Sequence, residues 1–180
     1  ETDSSAYNGY VRHIQSCGCP NYPTEIVVYD YTAVAKNPEA YIPAYPCFSD
    51  SDYDVTCESM SIGVFFNGIP FFSMMRGGCT VCDSSCDAVD DEHEDFNECG
   101  GHASDFGTYH YHMLPSCLID QMGDYYNVDS HSPQIGWAFD GFPIYGPHTV
   151  NGSDIYLCTD SRADSNYCLD ECGGTEQYEI

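Results

Sequence analysis

The chain has 180 residues, with 29 Asp and Glu against 4 Lys and Arg, a formal net charge of -25, and 12 cysteines. A surface this acidic repels phosphate backbones and anionic headgroups, which excludes nucleic acid and membrane insertion and favours divalent cations as partners. The even, dense cysteine count reads as an oxidised disulfide framework, hence a secreted, extracellular or cell-surface protein.

No hydrophobic leader precedes Glu1 and no apolar run approaches the length of a membrane span, so a mature, soluble product is expected. Helical periodicity is absent, while Tyr, Phe, Val and Ile fill short runs between turn residues. The expected fold is therefore all-β: a single disulfide-rich, β-sandwich-like domain over residues 1–180, with long acidic loops and little helix.

In chain order, Cys17-Gly18-Cys19 reads as two half-cystines with different partners, and Glu25 to Thr32 as the first strand. Ser49 to Glu58 is an acidic loop. Its Asp50, Asp52 and Asp54 begin like an EF-hand, but Val55 stands where glycine and Ser61 where glutamate should be. Either a weak Ca²⁺ site or a solvated acidic loop fits. Ser61 to Phe66 and Phe71 to Met75 are strands joined at Asn67-Gly68, a strong hairpin signal.

Cys79, Cys82 and Cys86 are spaced as zinc or iron–sulfur ligands are, yet Asp83, Asp87, Asp90 and Asp91 oppose thiolate formation there, so disulfides are expected. Cys82 to Glu98 reads as a second acidic loop, with Asp90 and Asp91 as further calcium candidates. Cys47, Cys57, Cys99, Cys117, Cys158, Cys168 and Cys172 complete the expected half-cystines, with the pairing open. A short echo, Glu-Cys-Gly-Gly, links Asn97-Glu98-Cys99-Gly100-Gly101 with Leu169-Asp170-Glu171-Cys172-Gly173-Gly174.

Thr108 to Met113 reads as a strand. Residues i and i+2 of a strand share a face, so His110 and His112 project together while Tyr109 and Tyr111 project oppositely. With His102 upstream and His131 downstream, the four histidines could share one Zn²⁺ or Cu²⁺, or form a buried polar network. Gly136 to Phe139 and Ile155 to Cys158 are the last strands. Asp140, in an apolar aromatic run, is expected to be partly buried, either orienting a ligand histidine or capping a turn. Asn151-Gly152-Ser153 is a glycosylation sequon at Asn151.

Gly101-His102-Ala103, Gly107-Thr108-Tyr109-His110-Tyr111-His112 with Leu114-Pro115, His131-Ser132-Pro133, and Gly136 to Pro147 (GWAFDGFPIYGP) together resemble the YHYH domain family. Ile62-Gly63-Val64 with Asn67-Gly68-Ile69-Pro70 is similar to its "IGVxxNGxP" segment, so the resemblance covers about residues 11–174. It implies a secreted or cell-surface module with no activity firmly attached. The family's early "SNGIPDH" element is met only by Ser16 to Tyr22, without its histidine, so no ligand role carries over there.

No nucleophile elbow, HExxH or phosphate loop is present, and Lys36 is the sole lysine. The reading is a structural or surface component that binds cations and contacts copies of itself or glycans through patches drawn from its 16 tyrosines and 9 phenylalanines. A His-ligated Zn or Cu metalloenzyme is the alternative, and a lectin-like glycan-binding module the third.

Overall fold

The Asn67-Gly68 signal makes the hairpin it predicts. Strands β3 (Ser61–Phe65) and β4 (Pro70–Phe72) pair antiparallel. Gly68 takes the positive φ of 77° that the turn requires, and the Asn67 side chain accepts from the Ile69 N–H at 3.2 Å. The computed structural model describes residues 10–22, 31–47, 61–79, 84–93, 95–123, 130–170 and 172–175. The expected strand at Glu25 to Thr32 therefore lies largely outside the described residues, as does all of the loop from Ser49 to Glu58.

Strands β1 (Val11–Gln15) and β2 (Glu39–Pro43) form an antiparallel pair. Downstream come a 3-10 turn at Ser84–Cys86, helix α1 (Ala88–Asp91), β5 (Gly101–Ala103), β6 (Tyr109–Tyr111) and helix α2 (Ser116–Gln121). Strands β7 (Gln134–Ala138), β8 (Pro143–Tyr145), β9 (Tyr156–Leu157) and β10 (Cys168–Leu169) follow. The main sheet has six strands in the order β5-β6-β4-β3-β7-β8, and β9 and β10 make a small parallel pair. The protein is thus all-β with little helix. What helix there is falls where a loop or strand exit was expected: Asp87 caps α1 by accepting from the Val89 N–H at 2.8 Å, and Pro115 opens α2.

The core lies on one face of this sheet, where Tyr109 and Tyr111 pack with Phe65, Ile69, Ile135 and the α2 residues Leu118 and Ile119. Their hydroxyls need partners at that depth. The Asn97 amide donates to Tyr109 Oη at 2.9 Å and the Asn67 amide to Tyr111 Oη at 3.2 Å. Each tyrosine thereby pins one turn. Burial pushes the Tyr109 phenol up to about 12 and raises that of Tyr111 as well.

The bond pattern of the Asn97 turn recurs at the echoed segment. Asn97 Oδ1 accepts from the N–H groups of Cys99 (3.0 Å) and Gly101 (3.3 Å), and Asp170 Oδ1 from those of Cys172 (2.9 Å) and Gly174 (2.8 Å). The short sequence echo is therefore a repeated turn. Three disulfides join described residues: Cys79–Cys86, Cys99–Cys117 and Cys158–Cys168. Cys57 and Cys82 lie outside the described residues. Cys17 and Cys19 form no disulfide with any described residue. They sit on a turn at Gly18, φ 64°, where the Cys19 N–H donates to Cys17 Sγ at 3.1 Å.

Close backbone approach sets the β3–β7 pairing. A Cβ on Gly136 would lie 2.6 Å from Val64 O and 3.0 Å from Phe65 Cα, main-chain atoms of the neighbouring strand that cannot rotate aside. Gly136→Ala is expected to destabilise the fold by about 2–3 kcal/mol, the scale of overpacking a closed interior. A urea titration measures this, and a change under about 0.5 kcal/mol would contradict the packing described.

Candidate metal centre

The opposite face of β6 carries the histidines. His102 on β5 stands in register with His110 on β6, and His112 follows two residues on, so all three imidazoles share one side of the sheet. They are buried, with relative exposures of 7%, 4% and 6%. Their Nε2 atoms converge: His102 to His110 is 2.9 Å and His110 to His112 is 3.0 Å. Among the described residues this is the group of His, Cys, Asp or Glu side chains placed to share a metal ion.

Two backbone carbonyls aim the rings. His110 Nδ1 donates to Thr108 O at 3.0 Å and His112 Nδ1 to Ser73 O at 2.5 Å. A neutral imidazole has a single ring proton, so these contacts place it on Nδ1 and leave Nε2 of both rings as bare lone pairs. The 3.0 Å approach of His110 Nε2 to His112 Nε2 thus sets acceptor against acceptor. Nothing but a cation or an added proton between them makes that arrangement favourable.

A proton is disfavoured there. Burial, reinforced by the neighbouring imidazoles, holds His102 down to about 4 and His110 to about 3, and burial lowers His112 too. Phe72 stacks on His110 with centroids 4.2 Å apart, and Phe96 meets His102 edge-on at 4.7 Å, so aromatic rings wall the site. Neutral imidazoles fixed by backbone carbonyls within an apolar wall are the donor set that Cu²⁺ and Zn²⁺ take.

One rim of the site is acidic. Glu92, directly after α1, has Oε2 at 3.5 Å from His102 Nε2 and 3.9 Å from His112 Nε2. Its carboxyl is pushed above the usual range, first by burial and then by the charge of Asp95.

Two residues expected at the site are elsewhere. His131 precedes β7, and β7 lies beyond β4 and β3 from β6, three strand spacings or roughly 14 Å away at about 4.8 Å each. Its ring packs edge-on against Tyr145, and Nδ1 donates to Ser132 O at 2.5 Å. Asp140 is exposed rather than partly buried and accepts from the Phe142 N–H at 3.1 Å, the turn-capping role and not the orienting one. Thr108 and Ser73 do the orienting, through main-chain oxygens that no side-chain pattern announces.

Of the calcium candidates, Asp50, Asp52 and Asp54 lie outside the described residues. Asp90 and Asp91 are exposed on α1, where Asp91 Oδ2 pairs with Arg76 Nε at 2.7 Å. Asn151 lies in an exposed turn closed by the Gly152 N–H donating to Thr149 O at 2.9 Å.

The family model described as "YHYH protein" matches residues 39–178. No curated protein and no solved structure matches the chain.

Proposed function

The chain belongs to the YHYH family, and from that premise we propose that it is a secreted surface component whose histidine triad binds one transition-metal ion, Cu²⁺ in preference to Zn²⁺. The observation that carries the reading is the 3.0 Å contact between the lone-pair nitrogens of His110 and His112. An ion about 2.0–2.1 Å from each nitrogen accounts for it.

Three imidazole nitrogens suit either ion, and the Irving–Williams order favours copper. Elemental analysis and a competitive Cu²⁺/Zn²⁺ titration test this: one ion per chain, with copper displacing zinc, is expected, and tighter zinc binding would reverse the preference.

Support for secretion comes from the cysteine framework and the acidic surface, and no helix among the described residues is long and apolar enough to cross a membrane. Contact with copies of itself is supported by exposed aromatics on and beside the β1–β2 pair, where Tyr10 and Tyr45 meet edge-on at 6.3 Å and Tyr41 is 63% exposed. Sedimentation of Tyr10→Ser, Tyr41→Ser and Tyr45→Ser variants checks that role. A glycan-binding reading is favoured by a cavity of about 310 Å³ lined by Asn151, Asp154, Tyr156, Arg162 and Tyr167. A glycan array that loses its signal with Tyr156→Ala is the matching test.

A further inference from the structure

Resting on the metal-binding reading above, we infer that Glu92 is the fourth ligand of the site and the one through which the ion enters and leaves. Its oxygen stands on the Nε2 side of the rings, 3.5 Å from His102 and 3.9 Å from His112. A carboxylate that merely oriented a ligand histidine would sit at Nδ1, and for His110 and His112 those positions belong to Thr108 O and Ser73 O. Towards His112, whose Nε2 is a bare lone pair, the carboxylate oxygen gains nothing directly. The three imidazoles already form the group placed to share an ion, and Glu92, at 3.5 and 3.9 Å from two of them, reaches the about 3–3.5 Å spacing of ligands on a common ion by a small inward movement of its side chain.

Glu92 is also held in place by the same frame that aims His112. Helix α1 is stitched to the segment after β4: the Ala88 N–H donates to Met74 O at 2.6 Å, and the Arg76 N–H to Cys86 O at 3.0 Å. The Arg76–Asp91 pair and the Cys79–Cys86 disulfide fasten both ends of that connection. Ser73, whose carbonyl fixes His112, is in this segment. The segment after β4 and helix α1 thereby bring an orienting carbonyl and a carboxylate to the same site.

Exposure separates Glu92 from the histidines. Its side chain is 24% accessible, against 9% for His102 and 3% for His112. The carboxylate therefore closes the solvent side of a centre whose other walls are Phe72 and Phe96. It is the ligand that can swing out without disturbing the sheet.

The test titrates the full chain with Cu²⁺ and records its paramagnetic resonance spectrum, comparing wild type with Glu92→Gln and with Asp105→Asn. Asp105 is an exposed turn residue between β5 and β6 whose substitution removes the same charge elsewhere. Glu92→Gln is expected to keep one binding site but weaken it about ten- to a hundredfold and change the copper spectrum, while Asp105→Asn does neither. It should also release copper to a chelator faster. If wild type binds Cu²⁺ and Glu92→Gln matches it in affinity and spectrum, the ligand role of Glu92 is overturned and the triad stands. If wild type takes up neither Cu²⁺ nor Zn²⁺, the triad reading fails first and this inference with it.

Discussion

His110→Ala is expected to abolish stoichiometric metal binding, lowering Cu²⁺ affinity by at least about a hundredfold in a chelator-competition titration. His110 is the middle member of the triad: its Nε2 makes both short contacts, at 2.9 Å to His102 and 3.0 Å to His112. Removing it leaves two nitrogens and no central donor. Because the variant also removes a buried ring that stacks on Phe72 and donates to Thr108 O, a thermal melt of the metal-free chain accompanies the titration and separates lost ligation from lost fold. Tyr109→Phe supplies the contrast. It lies on the opposite face of the same strand, where it would lose the hydrogen bond with Asn97 and leave a buried amide unsatisfied. That variant should cost about 1–3 kcal/mol in stability with metal affinity unchanged. Equal metal binding by His110→Ala and wild type would remove His110 from the site.

The metal-free protein is expected to lose stability steeply as the pH is lowered from about 6.5, the ordinary histidine value, towards 4. Above that range the histidines are neutral in the folded and unfolded chain, and they contribute nothing to the pH dependence. Below it the unfolded chain takes up protons that the folded chain refuses, because burial holds His102 down to about 4 and His110 to about 3. The unfolded state then binds more protons, so unfolding becomes easier with each step into acid until the folded pKa values are reached. One pKa unit is about 1.4 kcal/mol, so His102 alone makes a difference on the order of 3 kcal/mol by pH 4. Bound metal should be released over the same interval, since each nitrogen holds either a proton or the ion. Thermal melts from pH 7 to pH 4 measure the effect. A His102→Gln, His110→Gln double variant isolates it from the relief of acidic self-repulsion, and an identical slope in that variant would contradict the assignment.

Much of the site was legible because strand periodicity is local. His110 and His112 needed only the alternation of a strand to be placed on one face, and the hairpin at Asn67-Gly68 needed only its two turn residues. His102 was reachable by proximity in sequence, since a short loop returns β5 onto β6. His131 was misplaced because sequence distance says nothing about sheet order: β7 pairs with β3, and β4 and β3 separate it from the histidine strand.

Asp140 was misplaced for another reason. Its neighbours Phe139 and Phe142 are apolar, yet the β7–β8 turn carries it to the surface. Glu92 was hidden in the acidic run after Cys82, where composition suggests only solvated charge. What lifts it out is helix α1, too short for any periodic signal, together with the Cys79–Cys86 closure. Ser73 and Thr108 act through carbonyl oxygens, which every residue possesses, so no side-chain reading could have selected them. Helix α2 was missed likewise, since Leu118 and Ile119 offer two adjacent apolar residues and no second turn to repeat them.

The most direct test of the metal centre is elemental analysis of the protein isolated from its source, joined to a Cu²⁺ titration of the metal-depleted chain. Close to one equivalent of copper or zinc per chain, lost in His110→Ala and regained by depleted wild type, is the predicted result. Protein that carries neither metal from its source and takes up neither when offered would contradict it, and the three imidazoles would then be a packed wall of the sheet.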